Sequence, residues 1–320
     1  MDSLILTVDQ SDHTFFIIDL KKDIVSYKAP KEEKLSDIRA QNKGRNIFRP
    51  FGIAQNNEKL FIASHGKVVS FKKDFSFNEE IISNYYPNTH QILFDNNWLY
   101  LTGTSVNCIS KHNLKTQEKL FFCTEKLKII NPPSLPPDVY QHDTRHPNSL
   151  LINNFSLWFV NHNRGKPSQI IELDKNNFNI KNIYENMGID VHNLVLKNNA
   201  IYFLSTAEYT LKKLDLITRT VSVLHCFNNS IFLRGLCMIN DTLFIGGSFT
   251  TVKDYSLQTP CIFKYDFKNT TITQLFLSFR GAILDMQVLR AKKRSSFISS
   301  LGGWGVVMDD YWDSGNERKI

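Results

Sequence analysis

Five times along the chain, an apolar segment runs through an Asn- or Asp-containing turn into a second apolar segment. The copies read RPFGIAQNNEKLFIAS from Arg49, THQILFDNNWLYLTG from Thr89, HPNSLLINNFSLWFVNH from His146, VHNLVLKNNAIYFLST from Val191 and LRGLCMINDTLFIGGS from Leu233. Alternation of apolar and polar positions marks half-buried β-strands, because successive side chains leave a strand on opposite faces. Paired Asn or Asp between two such runs marks a tight hairpin, because these residues tolerate the left-handed backbone a two-residue turn requires. The copies recur at roughly 40 to 60 residues, the range of a four-stranded propeller blade.

Two further strands follow each hairpin, such as Val68–Phe71 with Glu80–Ser83, and Asn107–Lys111 with Glu118–Cys123. Two fragments are left over. Leu4–Val8, Thr14–Asp19 and Ile24–Tyr27 are three strands lacking an inner partner, and Ala282–Leu289 is an inner strand lacking outer ones. Joined, they make a sixth blade and remove the open sheet edges that invite aggregation. The sequence therefore predicts an all-β, six-bladed β-propeller over residues 1–290, with four antiparallel strands per blade. Its last blade is closed by the N-terminal strands and one C-terminal-side strand. Residues 291–320 read as a tail that packs on the propeller or clasps a partner.

Longer connections fall at 31–46, 125–145 and 252–260, all on the face where inner strands begin. Working loops gather on one face of such a fold. The Pro-rich stretch NPPSLPPDVYQHDTR within 125–145 is stiff, and reads either as a lid or wall or as a neutral surface insertion.

Composition sharpens this reading only at a few points. Twenty-four Phe suit pleated, half-buried sheets. The net charge of +7 is spread as Lys among Asn, with one dense run at Lys292, Lys293 and Arg294, so a solvated surface is expected and a nucleic-acid footprint is not. Five Cys without zinc or CxxC spacing read as reduced thiols in or near the core of a cytoplasmic protein. The start MDSLILTVDQSD has neither signal-peptide nor membrane-span character, and no other stretch is long and apolar enough to cross a bilayer. Phosphate-cradling glycine loops are absent, so no nucleotide cofactor is expected.

Aligning the repeats places Phe51, His90, Asn148, His192, Arg234 and Leu284 in one ring at the channel mouth, with Arg49 and His146 two residues earlier. Loops above contribute His65, Asn107, His162, Arg164 and Glu208. Converging imidazoles suit acid–base work or a metal, and clefted Arg side chains recognise carboxylate or phosphate. The expected catalytic set is His90, His192 and His146. Arg49, Asn148, Arg234, His162, Arg164 and Glu208 would bind a small anionic or polar substrate. His90, His192 and Asn148 are the candidate ligands for one divalent metal ion, of unassigned identity. Lyase, hydrolase and isomerase chemistry all remain open, as does a non-catalytic module holding a protein or glycan partner on the same face.

Two segments, RPFGIA at Arg49–Ala54 and HPNSLLI at His146–Ile152, resemble the inner-strand starts of six-bladed propellers of the gluconolactonase, paraoxonase and strictosidine synthase kind, and of NHL repeats. The resemblance implies a channel-mouth site with calcium or another divalent ion on Asn, Asp and Glu. Asn148 matches such a ligand position. Phe51 stands where another Asn is implied, and His90, His192 and Arg234 stand in the ring in place of acidic ligands.

Overall fold

The computed structural model describes residues 3–9, 13–30, 50–64, 67–83, 89–132, 143–250 and 257–289. Arg49, His65, most of the Pro-rich insertion and the 291–320 tail lie outside them. Three strands open the chain: β1 (Ser3–Asp9), β2 (His13–Asp19) and β3 (Ile24–Pro30). Blade 1 follows as β4 (Ile53–Gln55), β5 (Lys59–Ser64), β6 (Lys67–Lys72) and β7 (Phe77–Ser83). Blade 2 holds β8 (Ile92–Asp95), β9 (Trp98–Gly103), β10 (Cys108–Asn113), β11 (Lys119–Cys123) and β12 (Lys128–Ile130). Blade 3 is β13 (Pro147–Ile152), β14 (Ser156–Asn161), β15 (Gln169–Asp174) and β16 (Ile180–Tyr184). Blade 4 is β17 (Val191–Lys197), β18 (Ala200–Ser205), β19 (Thr210–Asp215) and β20 (Val221–Cys226). Blade 5 is β21 (Ile231–Ile239), β22 (Thr242–Phe249), β23 (Thr259–Asp266) and β24 (Thr271–Phe276). Finally β25 (Ala282–Leu289) pairs with β1, giving a sixth blade in the order β25-β1-β2-β3. The chain is thus a six-bladed propeller closed from both ends. The one addition is β12, a fifth strand on blade 2, formed where the insertion begins.

Local chemistry accounts for the turns. Asn96–Asn97 and Asn198–Asn199 both sit at positive φ, as a two-residue hairpin turn demands. Asn56 and Asn153 instead turn the chain with their side chains, each Oδ1 accepting two backbone N–H groups ahead of it. A second repeat is less visible in sequence. The residue ending the third strand of five blades (Asp19, Asn113, Asp174, Asp215 and Asp266) caps the following turn in the same way.

The apolar core is divided among the seams. Each of the six blade-to-blade junctions has its own buried cluster. The closing junction packs Ile5, Phe15 and Ile17 of blade 6 against Ile53, Ile62, Val69 and Phe71 of blade 1. Phe15 meets Phe71 edge-on at 5.3 Å. Truncating one such Phe costs about 3–5 kcal/mol. With the apolar side chains spent between blades, the channel is left to polar ones. All five cysteines are free thiols; Cys226 is exposed rather than near the core. Among the described residues no helix is long and apolar enough to cross a membrane.

Candidate functional site

The inner strands β4, β8, β13, β17, β21 and β25 form a closed ring, each touching the next. Just inside the channel mouth several carry an extra residue that interrupts pairing. The interruption falls at Asn148 in β13, at Asn193 in β17, at Arg234–Gly235 in β21 and at Leu284 in β25. Such a bulge re-aims side chains at a strand end. His192 stands immediately ahead of its bulge residue, Asn193, Arg234 is the first residue of its own bulge, and His90 precedes β8.

These bends bring four imidazoles into an arc. His90 meets His146 at 4.8 Å between ring centres, His146 meets His162 at 4.9 Å, and His162 meets His192 at 5.0 Å. Phe51 stacks on His90 at one end at 4.7 Å. At the other end Arg234 Nη2 lies 2.9 Å from His192 Nε2, and its guanidinium lies over the Phe232 ring at 5.3 Å. Blades 1 to 5 all contribute. His162 and His192 are buried, whereas His90, His146 and Arg234 are half-buried.

Hydrogen bonds fix the state of three of these rings. His192 Nδ1 lies 2.9 Å from both the Asp190 carbonyl and Thr206 Oγ1. Thr206 Oγ1 spends its own proton on the Leu233 carbonyl, so Nδ1 of His192 is the donor and Nε2 accepts from Arg234. Burial, then the Arg234 charge, holds this imidazole well below its usual pKa. His162 accepts the Arg164 N–H on Nδ1 at 3.2 Å and faces Asp190 Oδ1 with Nε2 at 3.3 Å. Burial first, then His146, Arg234 and Arg164, pushes it down to about 2. Both deep rings are therefore neutral at ordinary pH.

His146 differs. Its Nδ1 donates to Asp143 Oδ2 at 2.8 Å, and that oxygen also takes Arg164 Nη2. The carboxylate is 1% exposed, so it orients the ring from a nearly dry position. This fixes the Nδ1–H tautomer and leaves Nε2 as the basic nitrogen. His146 is held at φ 49° directly before Pro147, where a non-glycine residue is disfavoured twice over. Asn163, Arg164, Asp190 and Asn193 around it are also left-handed. Strain of about 1–3 kcal/mol at a bulky residue persists where surrounding structure enforces it, and it gathers at functional sites.

The inner strands are also joined by a buried polar network. Asp285 on β25 is 1% exposed. Its oxygens accept from the backbone N–H of Ile53 at 3.1 Å and Met286 at 2.9 Å, from Gln91 Nε2 at 3.4 Å and from Asn193 Nδ2 at 3.2 Å. Leu284, expected in the ring, is the bulged residue of β25, and Asp285 directly after it binds the neighbouring strands.

Of the other expected residues, Asn148 staples blade 3 to blade 4. Its Nδ2 donates to the Val191 carbonyl at 3.1 Å, and its Oδ1 accepts from Ser149 Oγ. Asn107 accepts the Arg145 N–H at 2.8 Å and so anchors the end of the insertion. Glu208 is exposed and bonds Lys212 at 2.5 Å and Ser205, which outweigh burial and lower its pKa. Among the described residues it makes no recorded bond to the imidazole arc. Asp143, Asp190, Thr206 and Asp285 were not expected.

Holding a divalent ion on His90, His192 and Asn148 does not fit this arrangement. Both ring nitrogens of His192 and both amide atoms of Asn148 are engaged within the protein. Among the described residues no cluster of three or more His, Cys, Asp or Glu has metal-ligating geometry. A separate open groove of about 640 Å³ lies between blades 1 and 2, lined by Lys59, Glu79, Phe94, His112 and Lys119 among others. Two of its charges, Lys59 and Glu79, pair with each other at 2.6 Å.

No protein-family model matches the chain, and no curated protein matches it. The fold is similar to a chain in the crystal structure of a nidogen/laminin complex, with TM-score 0.62 and 9% identity over 89% of this chain and 98% of that one. It is also similar to a protein of unknown function from Bacteroides caccae, with TM-score 0.60 and 13% identity over 91% and 99% of the two chains. At such identities the likeness shows the six-bladed β-propeller architecture alone.

Proposed function

We propose that the channel mouth is an acid–base site for a small anionic metabolite. Its single strongest support is the pairing of an oriented imidazole with an anion anchor along one continuous arc. His146 sits 2.8 Å from the buried Asp143 carboxylate, and the arc it joins ends on Arg234. In this reading Arg234 holds the negative group of the substrate and His146 Nε2 moves a proton. Asp143 keeps His146 in the working tautomer and stabilises the imidazolium once the proton arrives. His162 and His192, buried and neutral, give a wall that repels neither the anion nor the protonated His146. His90, stacked on Phe51, closes the near side. The reaction class is proton transfer on a carboxylate- or phosphate-bearing substrate, which covers lyase, hydrolase and isomerase outcomes.

A non-catalytic reading, in which the same face holds a protein or glycan partner, draws on the likeness to a chain from a nidogen/laminin complex. Calorimetric titration with acetate, malonate, citrate, benzoate and inorganic phosphate, paired with proton NMR of a small-metabolite extract incubated with the protein, separates the two. The acid–base reading expects at least one anion to bind. It also expects turnover that His146→Asn abolishes while binding persists. Anion binding with no substrate consumed favours the non-catalytic module, and no anion binding at all removes the acid–base reading.

A further inference from the structure

We infer that Asp285 is the positioning residue of this site: a buried carboxylate that sets His90, His192 and Arg234 in place from beneath, without touching a ligand. The inference rests on the acid–base reading for what is positioned, and on independent geometry for how.

Besides the Met286 N–H on its own strand, Asp285 has three donors, each one or two residues past a residue of the arc. Gln91, whose Nε2 donates to Oδ1, directly follows His90. Asn193, whose Nδ2 donates to the same oxygen, directly follows His192. Asn193 then uses its own Oδ1 to accept the N–H of Gly235 at 2.8 Å, and Gly235 directly follows Arg234. Ile53, whose N–H reaches Oδ2, lies two residues past Phe51. The remaining inner strand is tied in through Gln91 Oε1, which accepts the Leu150 N–H at 2.6 Å, and through Ser149 Oγ, which accepts the Asn193 N–H at 2.8 Å. One carboxylate thereby links all six inner strands.

The conformations it holds are ones the chain would not choose freely. Asn193 is left-handed at φ 52° and Gly235 at φ 80°. A Cβ on Gly235 would come within 3.0 Å of Met286 Cβ, beside Asp285 itself. Without an acceptor at the centre, the Asn193 amide loses the bond that aims its Oδ1 at Gly235, and Arg234 loses its placement against His192. A buried polar network of this kind fixes geometry when fully satisfied.

Asp285 is also sensitive to pH in the right range. Burial pushes it up to about 7, opposed by the Ile53, Met286 and Gln91 donors and by Arg234. The charged and titratable groups that interact with it, Arg234 and Cys237, both lie on β21. Its ionisation therefore couples to the placement of Arg234 around neutral pH.

The test compares wild type, Asp285→Asn and Gln91→Met. Imidazole ¹⁵N–¹H spectra report ring tautomers, and citrate calorimetry across about pH 6 to 8 reports the site. Asp285→Asn, shown to be folded by circular dichroism and cooperative melting, is expected to shift the His192 and His90 signals. It should also weaken citrate binding about tenfold or more and flatten the pH dependence seen in wild type. Gln91→Met removes the bond to Asp285 and the acceptor of the Leu150 N–H but leaves the Asn193 and Ile53 bonds to Asp285, so it should move His90 and leave His192 in place. Unmoved His192 and His90 signals in a folded Asp285→Asn protein overturn the inference. Should that variant not fold, an unmoved His90 in Gln91→Met overturns it instead. If wild type binds no citrate, the acid–base reading has failed, and the imidazole spectra still decide the positioning role.

Discussion

Replacing Arg234 by Met separates ligand binding from folding at this site. Methionine keeps the length and apolar stem of the side chain but removes the guanidinium. In the protein alone, the change deletes the donor 2.9 Å from His192 Nε2 and leaves that buried acceptor without its partner. A buried polar atom stranded in this way costs about 1–3 kcal/mol. The loss is modest for a chain held by six seam cores. Binding should suffer more visibly. A charge-assisted contact to a carboxylate contributes about 1.5–3 kcal/mol, which corresponds to about 10- to 150-fold in Kd. Arg164 is the internal control. Its side chain is 54% exposed and already committed to Asp143, so solvent screens it, and Arg164→Met should weaken binding by less than about tenfold. The assay is calorimetry at fixed ionic strength with the tightest anion of the panel, alongside thermal unfolding. If Arg234→Met binds within about twofold of wild type, or if Arg164→Met loses more than Arg234→Met, the placement of the anion at the arc's end is mistaken.

Further outcomes follow from the same coordinates. Gly246→Ala puts a Cβ 2.1 Å from the Arg234 carbonyl and 2.8 Å from Ile283 Cγ2, so it should destabilise by about 1–3 kcal/mol or more and abolish anion binding, measured by urea unfolding and calorimetry. Asp143→Asn should remove turnover while leaving binding nearly intact, since Arg234 is untouched; equal losses in both would contradict an orienting role. Acid should destabilise the fold through its buried imidazoles. His112 is pushed down by burial to about 4, His162 to about 2, and His192 lies well below 6.5, so the unfolded chain takes up these protons first. Their stabilising contribution is full above about pH 6.5 and declines below it. Asp285, pushed up to about 7, works oppositely: its contribution is present at low pH and is lost as pH rises from about 4 through 7. Between about pH 5 and 6 the net slope should approach two protons, about 2.7 kcal/mol per pH unit. Urea midpoints that stay level across that interval would rule out neutral buried rings.

Much of this was legible in the chain because each blade writes its hairpin twice, once as alternation and once as turn residues. The orphan segments at 4–27 and 282–289 could only complete each other, and they do, with β25 pairing to β1. His192 and Arg234 were recognisable as equivalents because they share a place in the repeat. Period-two counting says least where it meets a bulge. Asn148 and Leu284 are each the bulged residue of their strand, where Asn148 bonds across to blade 4 and Asp285, one residue past Leu284, gathers donors from the neighbouring strands. A lone acid within AILDMQVL was the available signal for Asp285, since a charge inside a buried strand needs a reason. Asp143 had no comparable marker. It sits at the end of a Pro-rich insertion, and its pairing with His146 and Arg164 depends on three-dimensional placement that no local pattern encodes.

The ring closes with its last strand, and this has a consequence for biosynthesis. Translation runs at about 5–20 residues per second, so β1 waits on the order of 15–60 seconds for β25 to emerge from the ribosome. Until then the first hairpins carry an uncovered edge, and the amides of Gln91, Asn193 and Ile53 have no central acceptor. A nascent chain interrupted before residue 282 can build blades but lacks both the strand that pairs with β1 and the carboxylate that joins the inner strands, so ring closure waits for the last blade to be made.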